Sequence, residues 1–353
     1  MKKAARWSLS AVALLAAPWA CSDFEERQIV VDLRVLAVAA EPPEVLLPVA
    51  LNFDLSAPIE DAAQTVARDG LYRFTEAPPP VTLRALVADP RDPARPVTFR
   101  ATACLASGFV GCGAQSGAAG QGDERGVARE TEALVIEVAP DTRAPLDQVQ
   151  VTFAPTLEQL SRWLAEDPFK GFGSLYVQVD LVVVAEDGTA DRAAKIVAYT
   201  PPLFTLGGDQ PQPPTRTPNR NPELTGLRFD DEVRTFEQGA PPLVAGRKVG
   251  VHPVFEPTDA IEQYTLQNFP TGEPPTLGYT PMTEKLSFEF FSEAGRFGRA
   301  SSTTRTPAGE VRDFGSAYTP PSGEAAEDTL YIVARDERGG TSWSVWRATS
   351  TPR

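Results

Sequence analysis

Two segments limit the fold more than any other feature. Residues 175–185 (LYVQVDLVVVA) and 193–200 (AAKIVAYT) flank Asp187-Gly188, and residues 329–336 (TLYIVARD) and 341–349 (TSWSVWRAT) flank Glu337-Arg338-Gly339-Gly340. Apolar side chains recur with period two in these runs, which puts them on one face of a strand. Acidic-glycine turns between such runs supply the positive φ that tight hairpins require. Each half of the chain therefore ends in an antiparallel hairpin.

Shorter runs of the same kind precede both hairpins. In the first half they are 29–41, 49–55, 81–89, 97–104, 133–139 and 149–153; in the second, 224–229, 247–255, 261–269 and 285–291. In the earliest run Val31, Leu33, Val35 and Ala37 alternate with Asp32 and Arg34 before the run turns continuously apolar, and Pro42-Pro43 stops it. About seven short strands with turns at this spacing are the mark of a sandwich. The expected fold class is mainly β: two tandem immunoglobulin-like β-sandwich domains, at 29–200 and 223–353, with one short helix in the first. The antibody Cys…Trp…Cys pattern is absent, so the expectation concerns architecture alone.

The one expected helix is LEQLSRWLAED, for which Thr156 and Gln159 form a capping box. Leu157, Leu160 and Leu164 share a face, Glu158 stands four residues before Arg162, and Pro168 ends it. Residues 201–222, rich in proline, read as a semi-rigid linker between the domains. Residues 113–131 read as a flexible loop.

The amino terminus reads as an export leader. Lys2, Lys3 and Arg6 precede a short apolar run, Leu9 to Ala17, too short to span a bilayer, and Ala20 offers a small side chain before Cys21. Residues 1–20 are the expected signal peptide and 21–28 the tether. The region resembles a bacterial lipoprotein signal: Ala20 and Cys21 match its lipobox, whereas Pro18 and Trp19 depart from it. The resemblance implies a thioether-linked diacylglycerol on Cys21, usually with an amide-linked acyl chain, which together make a stable anchor. Ser22 after the cysteine implies the outer membrane, on its periplasmic or cell-surface side. Membrane contact through lipid on Cys21 is thus the first expected partnership.

An exported chain is disulfide-permissive. Cys104 and Cys112 are the only other cysteines, and CLASGFVGC closes a short ring whose closure entropy gives on the order of 2.5 kcal/mol. A Cys104–Cys112 disulfide is expected. A metal site is disfavoured, since no second cysteine pair exists and His252 is the only histidine.

Charge excludes one class of partner. The leader holds three basic residues and no acidic ones, leaving 30 basic against 47 acidic residues, a net of −17. Nucleic-acid binding needs clustered lysine and arginine, so no nucleic acid is expected. An anionic lipid surface would repel the chain as well.

Enzyme signatures are missing. There is no G-x-S-x-G elbow, Walker A loop, H-E-x-x-H or G-x-G-x-x-G. Asp313-Phe314-Gly315 spells a kinase tripeptide with none of its companion motifs, and His252 at the end of a β-run reads as structural. No catalytic residue, metal or cofactor is therefore assigned. Asp89, Asp92, Asp230, Asp231, Asp336 and Glu337 read as acidic turns, although paired carboxylates 5–10 Å apart could hydrolyse glycosides and loop carboxylates could take calcium. Phe288 and Phe290 share a face and are expected in a core, with Phe297 near them. Trp343 and Trp346, three apart in one strand, must face opposite ways. One belongs to a core; the other is a candidate for stacking on a sugar or anchoring a partner.

RVLAVAAEPPEV soon after the lipid-accepting cysteine and YIVARDERGGTSW near the carboxyl terminus resemble predicted lipoproteins of the myxobacterial type with immunoglobulin-like sandwiches. The matching motifs are a first strand and a terminal hairpin, and carry over no catalytic residue. The expected function is a non-enzymatic, membrane-anchored binding or structural protein of the cell envelope, with an envelope protein or polysaccharide as partner. The alternative is a carboxylate-dependent hydrolase acting on polysaccharide; a third is a component of a larger envelope machine.

Overall fold

The computed structural model describes residues 27–52, 59–106, 112, 135–205, 212–255, 261–268, 271–272, 277–305, 313–323 and 325–352. The expected leader, Cys21, most of the tether and the 113–131 loop lie outside them. Among the described residues no helix is long and apolar enough to cross a membrane.

The first domain is a sandwich of two sheets. One contains β1 (Arg34–Glu41), β5 (Val81–Ala88) and β8 (Gln150–Phe153) in the order β1-β5-β8. The other contains β2 (Glu44–Leu46), β10 (Ala190–Thr200), β9 (Leu175–Ala185), β6 (Pro96–Leu105) and β7 (Ile136–Pro145), in that order. Only the β2–β10 pair is parallel. Strand β9 shows why its sequence alternates: Leu175, Val177, Val179, Leu181 and Val183 are all buried, whereas Tyr176 between them is exposed. A small hairpin of β3 (Val49–Leu51) and β4 (Tyr72–Phe74) and two helices, α1 (Ile59–Asp69) and α2 (Leu157–Glu166), stand beside the sandwich.

The second domain repeats the plan. Strands β12 (Glu232–Thr235), β11 (Gly226–Phe229), β14 (Val249–Val254), β20 (Ser316–Thr319) and β18 (Arg296–Phe297) form one sheet, in that order. Strands β13 (Leu243–Val244), β22 (Thr341–Thr351), β21 (Ala326–Asp336), β17 (Leu286–Ser292) and β19 (Ser301–Thr303) form the other. A hairpin of β15 (Gln263–Gln267) and β16 (Tyr279–Thr283) projects from it. In both domains the first strands pair in one sheet, and the last two strands pair beside a middle strand, β6 or β17, in the other. That division is the immunoglobulin-like one, reached twice. Phe288, Phe290 and Phe297 sit in the second core as expected, at 0–1% exposure.

Two expectations need correction. The first domain holds two helices rather than one. Helix α1, IEDAAQTVARD, carries Ile59, Ala62, Ala63 and Val66 at the spacing of one helix face, a faint stripe because two of the four are alanine, and Val66 packs on the core. Helix α2 does have its capping box, but Leu157 is exposed and Trp163 takes its place beside Leu160 and Leu164. The second correction is at the amino end: Ile29 and Val30 do not open the first domain. Ile29 pairs with Ser292 of the second, the Val30 N–H donates to the Ser292 carbonyl at 2.8 Å, and the Ser292 N–H donates to the Gln28 carbonyl at 3.0 Å.

Candidate functional site

The sandwiches lie face to face. The outer face of β1–β5 meets the outer face of β17–β21–β22. Leu36, Ala37, Leu86 and Ala88 from one domain and Tyr331 and Val333 from the other form an apolar seam, with Val30 of the tether wedged among them. Strands β1 and β21 are thus buried on both faces. That is why VLAVAA (35–40) and LYIVA (330–334) run continuously apolar where a half-exposed strand would alternate. This seam organises two unlike sites along the terminal hairpin.

At the hairpin's turn is an ionic lock. Gly339 holds φ at +99°, and a Cβ on Gly340 would fall 2.0 Å from Asp336 Oδ2 and 2.8 Å from the Arg220 carbonyl, so both glycines are required. The turn folds on Asp336, whose carboxylate accepts from the N–H groups of Arg338 (2.8 Å) and Gly340 (2.7 Å) and from Asn219 Nδ2 (3.1 Å). Arg338 then reaches Glu44 of the first domain, Glu262 (3.3 Å) and Glu284 (3.2 Å) of the second, and the Thr217 carbonyl (3.0 Å), over the Tyr264 ring. From the other side Lys195 of β10 donates to the Gly339 carbonyl and to Thr341 Oγ1.

The proline-rich segment takes part in this lock, which corrects its expected role as a spacer. Extended chain without ladder partners needs side chains and neighbours to satisfy it, and here the seam supplies them. The Asn219 N–H donates to Glu44 at 2.7 Å, Asn221 Nδ2 donates to the Ala40 carbonyl, Asn221 Oδ1 accepts from the Thr341 N–H, and Arg220 pairs with Glu262.

The electrostatics follow from burial. Glu284, 1% exposed, has its proton affinity pushed up to about 7 by burial first and then by the charge of Asp336. Burial also raises Asp336 and lowers Lys195 to about 8, with Arg335 adding to the effect. The carboxylates a hydrolase would need do meet here, two of them, Glu284 and Asp336, with raised proton affinity. Yet Glu284, Glu262, Glu44 and Asp336 are all at most 9% exposed, under Arg338. A general acid has to reach its substrate, and Glu284 and Glu262 do not line the 180 Å³ cavity beside the lock, which Glu44, Arg216, Tyr176, Tyr264 and Arg338 enclose.

At the hairpin's other end the domains part to leave a groove of about 750 Å³. Its walls are Ala85–Asp89, Pro93, Leu146 and Asp147 from the first domain, and Glu293, Glu327, Tyr331, Trp343, Val345 and Arg347 from the second. The parity of β22 decides the two tryptophans. Trp346 is 2% exposed in the second core, against Phe229 and Phe236, with its indole N–H on Ser344. It is therefore removed as a binding candidate, because its ring fills the space between the sheets. Trp343, directly opposite Val333, packs partly on the seam and otherwise lines the groove. Tyr331 donates to Glu293 at 2.5 Å, and burial followed by that bond raises its phenol.

The other sequence candidates sit elsewhere. Cys104 and Cys112 form the expected disulfide, with Cα atoms 5.6 Å apart. His252 is 3.1 Å from Asp313, under Gly315, whose missing Cβ leaves room for the imidazole. Burial lowers its proton affinity. Asp89 is buried between Arg91 and Arg95, and Asp230 accepts from the Gly250 N–H. Among the described residues no three His, Cys, Asp or Glu side chains gather where they could hold a metal ion.

No protein-family model matches the chain, and no curated protein does. Solved structures align over most of it at low scores. Escherichia coli alpha-2-macroglobulin activated by porcine elastase is 10% identical, over 93% of this chain and 22% of its own, with a TM-score of 0.24. A bacterial ice-binding adhesin is 10% identical, over 92% and 66%, at 0.18. The periplasmic chaperone SfaE is 9% identical, over 90% and 100%, at 0.20. The chain thus spans about a fifth of the macroglobulin's length. These scores assign neither family nor function.

Proposed function

We propose that the chain is an exported lipoprotein of the outer membrane, held by lipid on Cys21, and that it acts as a non-enzymatic binding module whose ligand seat is the groove between the sandwiches. The observation that carries the binding role is Trp343: a large aromatic ring half out of the seam in a concave site walled by both domains, the setting in which aromatic anchors serve recognition. The lock supports the same reading, because it holds the two walls in fixed relation and so preorganises the groove. The tether supports it too. Gln28–Val30 join the second domain at Ser292, next to the groove residue Glu293, and seven residues of chain from Cys21 to Gln28 span at most about 24 Å. The seat would therefore stand close to the bilayer.

Two measurements in the producing cell test this. Wild-type protein should fractionate with outer membrane and carry the mass of lipid, and Cys21→Ala should not. A photo-crosslinker at Val345, which is exposed in the groove, should capture one defined partner that the same group at Val233, exposed on the far sheet, does not. A soluble wild type with a free thiol rejects the anchor. Identical products from both positions reject the seat.

A further inference from the structure

The groove's charges point to the chemistry of its occupant, on the reading above that it is a ligand seat. Its acidic residues fall into two kinds. Asp89 and Asp328 are spent within the fold: Asp89 on Arg91 and Arg95, and Asp328 on the N–H groups of Glu293, Ala294 and Gly295 and on the Tyr318 hydroxyl. Asp147, Glu293 and Glu327 are different. Asp147 and Glu327 are exposed, and among the described residues neither forms an ion pair and the Glu293 carboxylate accepts from the neutral Tyr331 hydroxyl alone. Among the described residues of the walls, the one cation is the exposed Arg347. Three unneutralised carboxylates beside a half-exposed indole are a seat for a cation, which gains from the carboxylates at the rim and from the ring face within. A neutral sugar would use the indole and leave the carboxylates without a counter-charge.

We infer that the groove binds an extended basic segment of a partner protein, laying a lysine or arginine side chain over Trp343 with neighbouring cationic groups against Asp147, Glu293 and Glu327. An extended chain suits the site: its floor is the uncovered end of β21–β22, where Val345, Arg347 and Glu327 stand free of the first domain. The long-range charge of the molecule acts the same way, since a net −17 on the processed chain speeds the approach of basic partners and repels acidic polysaccharide, nucleic acid and anionic lipid.

The test uses the whole processed chain with octalysine, maltohexaose and octaglutamate as probes. Of its three tryptophans Trp163 and Trp346 are buried, so a change in indole emission reports on Trp343. Octalysine should bind one to one, saturably, and more weakly as salt rises. Trp343→Ala should abolish the emission change and weaken binding measured by calorimetry at least fivefold. Asp147→Asn with Glu327→Gln should weaken it at least tenfold. Asp231→Asn with Glu237→Gln, an exposed acidic pair outside the groove, should change it less than twofold. Equal losses from the two acidic pairs would mean general attraction to an acidic protein, and would overturn the inference. Maltohexaose binding through Trp343 without octalysine binding would overturn it as well, while leaving the groove as a seat. No saturable probe binding at all would overturn the inference, and a free thiol on membrane-free wild type would separately reject the anchor.

Discussion

Replacing Arg338 with alanine exposes how the lock works. Its guanidinium serves Glu44, Glu262 and Glu284 together. Without it Glu44 keeps the Asn219 N–H at 2.7 Å and Arg216 at 3.6 Å, and Glu262 keeps Arg220 at 2.7 Å. Among the described residues Glu284 keeps the Glu262 N–H alone, at 3.3 Å, so it is the stranded charge. Removing one partner of a buried ion pair costs about 3–5 kcal/mol, a large part of the ~5–15 kcal/mol that holds a typical protein folded. The cost should depend on pH. Glu284 has a folded pKa raised to about 7 from 4.5, and Arg338 is among the groups that lower it, so the substitution raises it further. At pH 5 the buried carboxyl is neutral with or without Arg338, and only lost hydrogen bonds remain, worth about 1–2 kcal/mol. Because a stranded Glu284 can take up a proton, its extra cost at pH 8 is capped at about 1.4 kcal/mol, one unit above its folded pKa of about 7, so urea unfolding should give destabilisations of about 2–3 kcal/mol at pH 8 and about 1–2 kcal/mol at pH 5. In a Glu284→Gln background the pH 8 cost should shrink by about 1 kcal/mol or more. An equal cost at both pH values, or no change in that background, refutes the assignment of Glu284 as the stranded group.

The same groups set the pH profile of the unaltered protein. A raised carboxyl such as Glu284 adds stability below pH 4.5 that is lost as pH rises through 7, and a lowered Lys195 adds stability above pH 10.5 that is lost as pH falls through 8. Stability from these two is therefore least between pH 7 and 8; Glu284→Gln should flatten the acid limb and Lys195→Met the alkaline one, each read from denaturant midpoints. Trp346→Ala should cost about 3–5 kcal/mol through the cavity it leaves, and Trp343→Ala about 1–2 kcal/mol; similar losses from both would contradict their placement on opposite faces of β22. Removing the disulfide with Cys104→Ser and Cys112→Ser should cost about 2–3 kcal/mol, and reductant should lower the wild-type Tm while leaving that variant unchanged.

What the sequence alone determined about this protein is whatever short stretches decide for themselves. The two hairpins were legible because strand alternation and an acidic-glycine turn are both local. So was the capping box of α2, whose Thr156 and Gln159 are three positions apart, and so was the disulfide, which closes an eight-residue separation. Parity put Trp343 and Trp346 on opposite faces, but no local rule says which face of β22 its own core covers. The seam decided that. Its trace was present in VLAVAA and LYIVA, runs too continuously apolar for strands with one wet face, and it identifies two strands that need a second cover without naming the cover. Helix α1 went unread although Ile59, Ala62, Ala63 and Val66 stand at the spacing of one helix face, because two of the four are alanine and mark the stripe only faintly. The lock and the groove belong wholly to the tertiary structure. Glu44, Asn219, Glu262, Glu284 and Arg338 are separated by tens to hundreds of positions, and their charges acquire meaning only when folding brings them within 4 Å and takes away the water that would otherwise solvate each one alone.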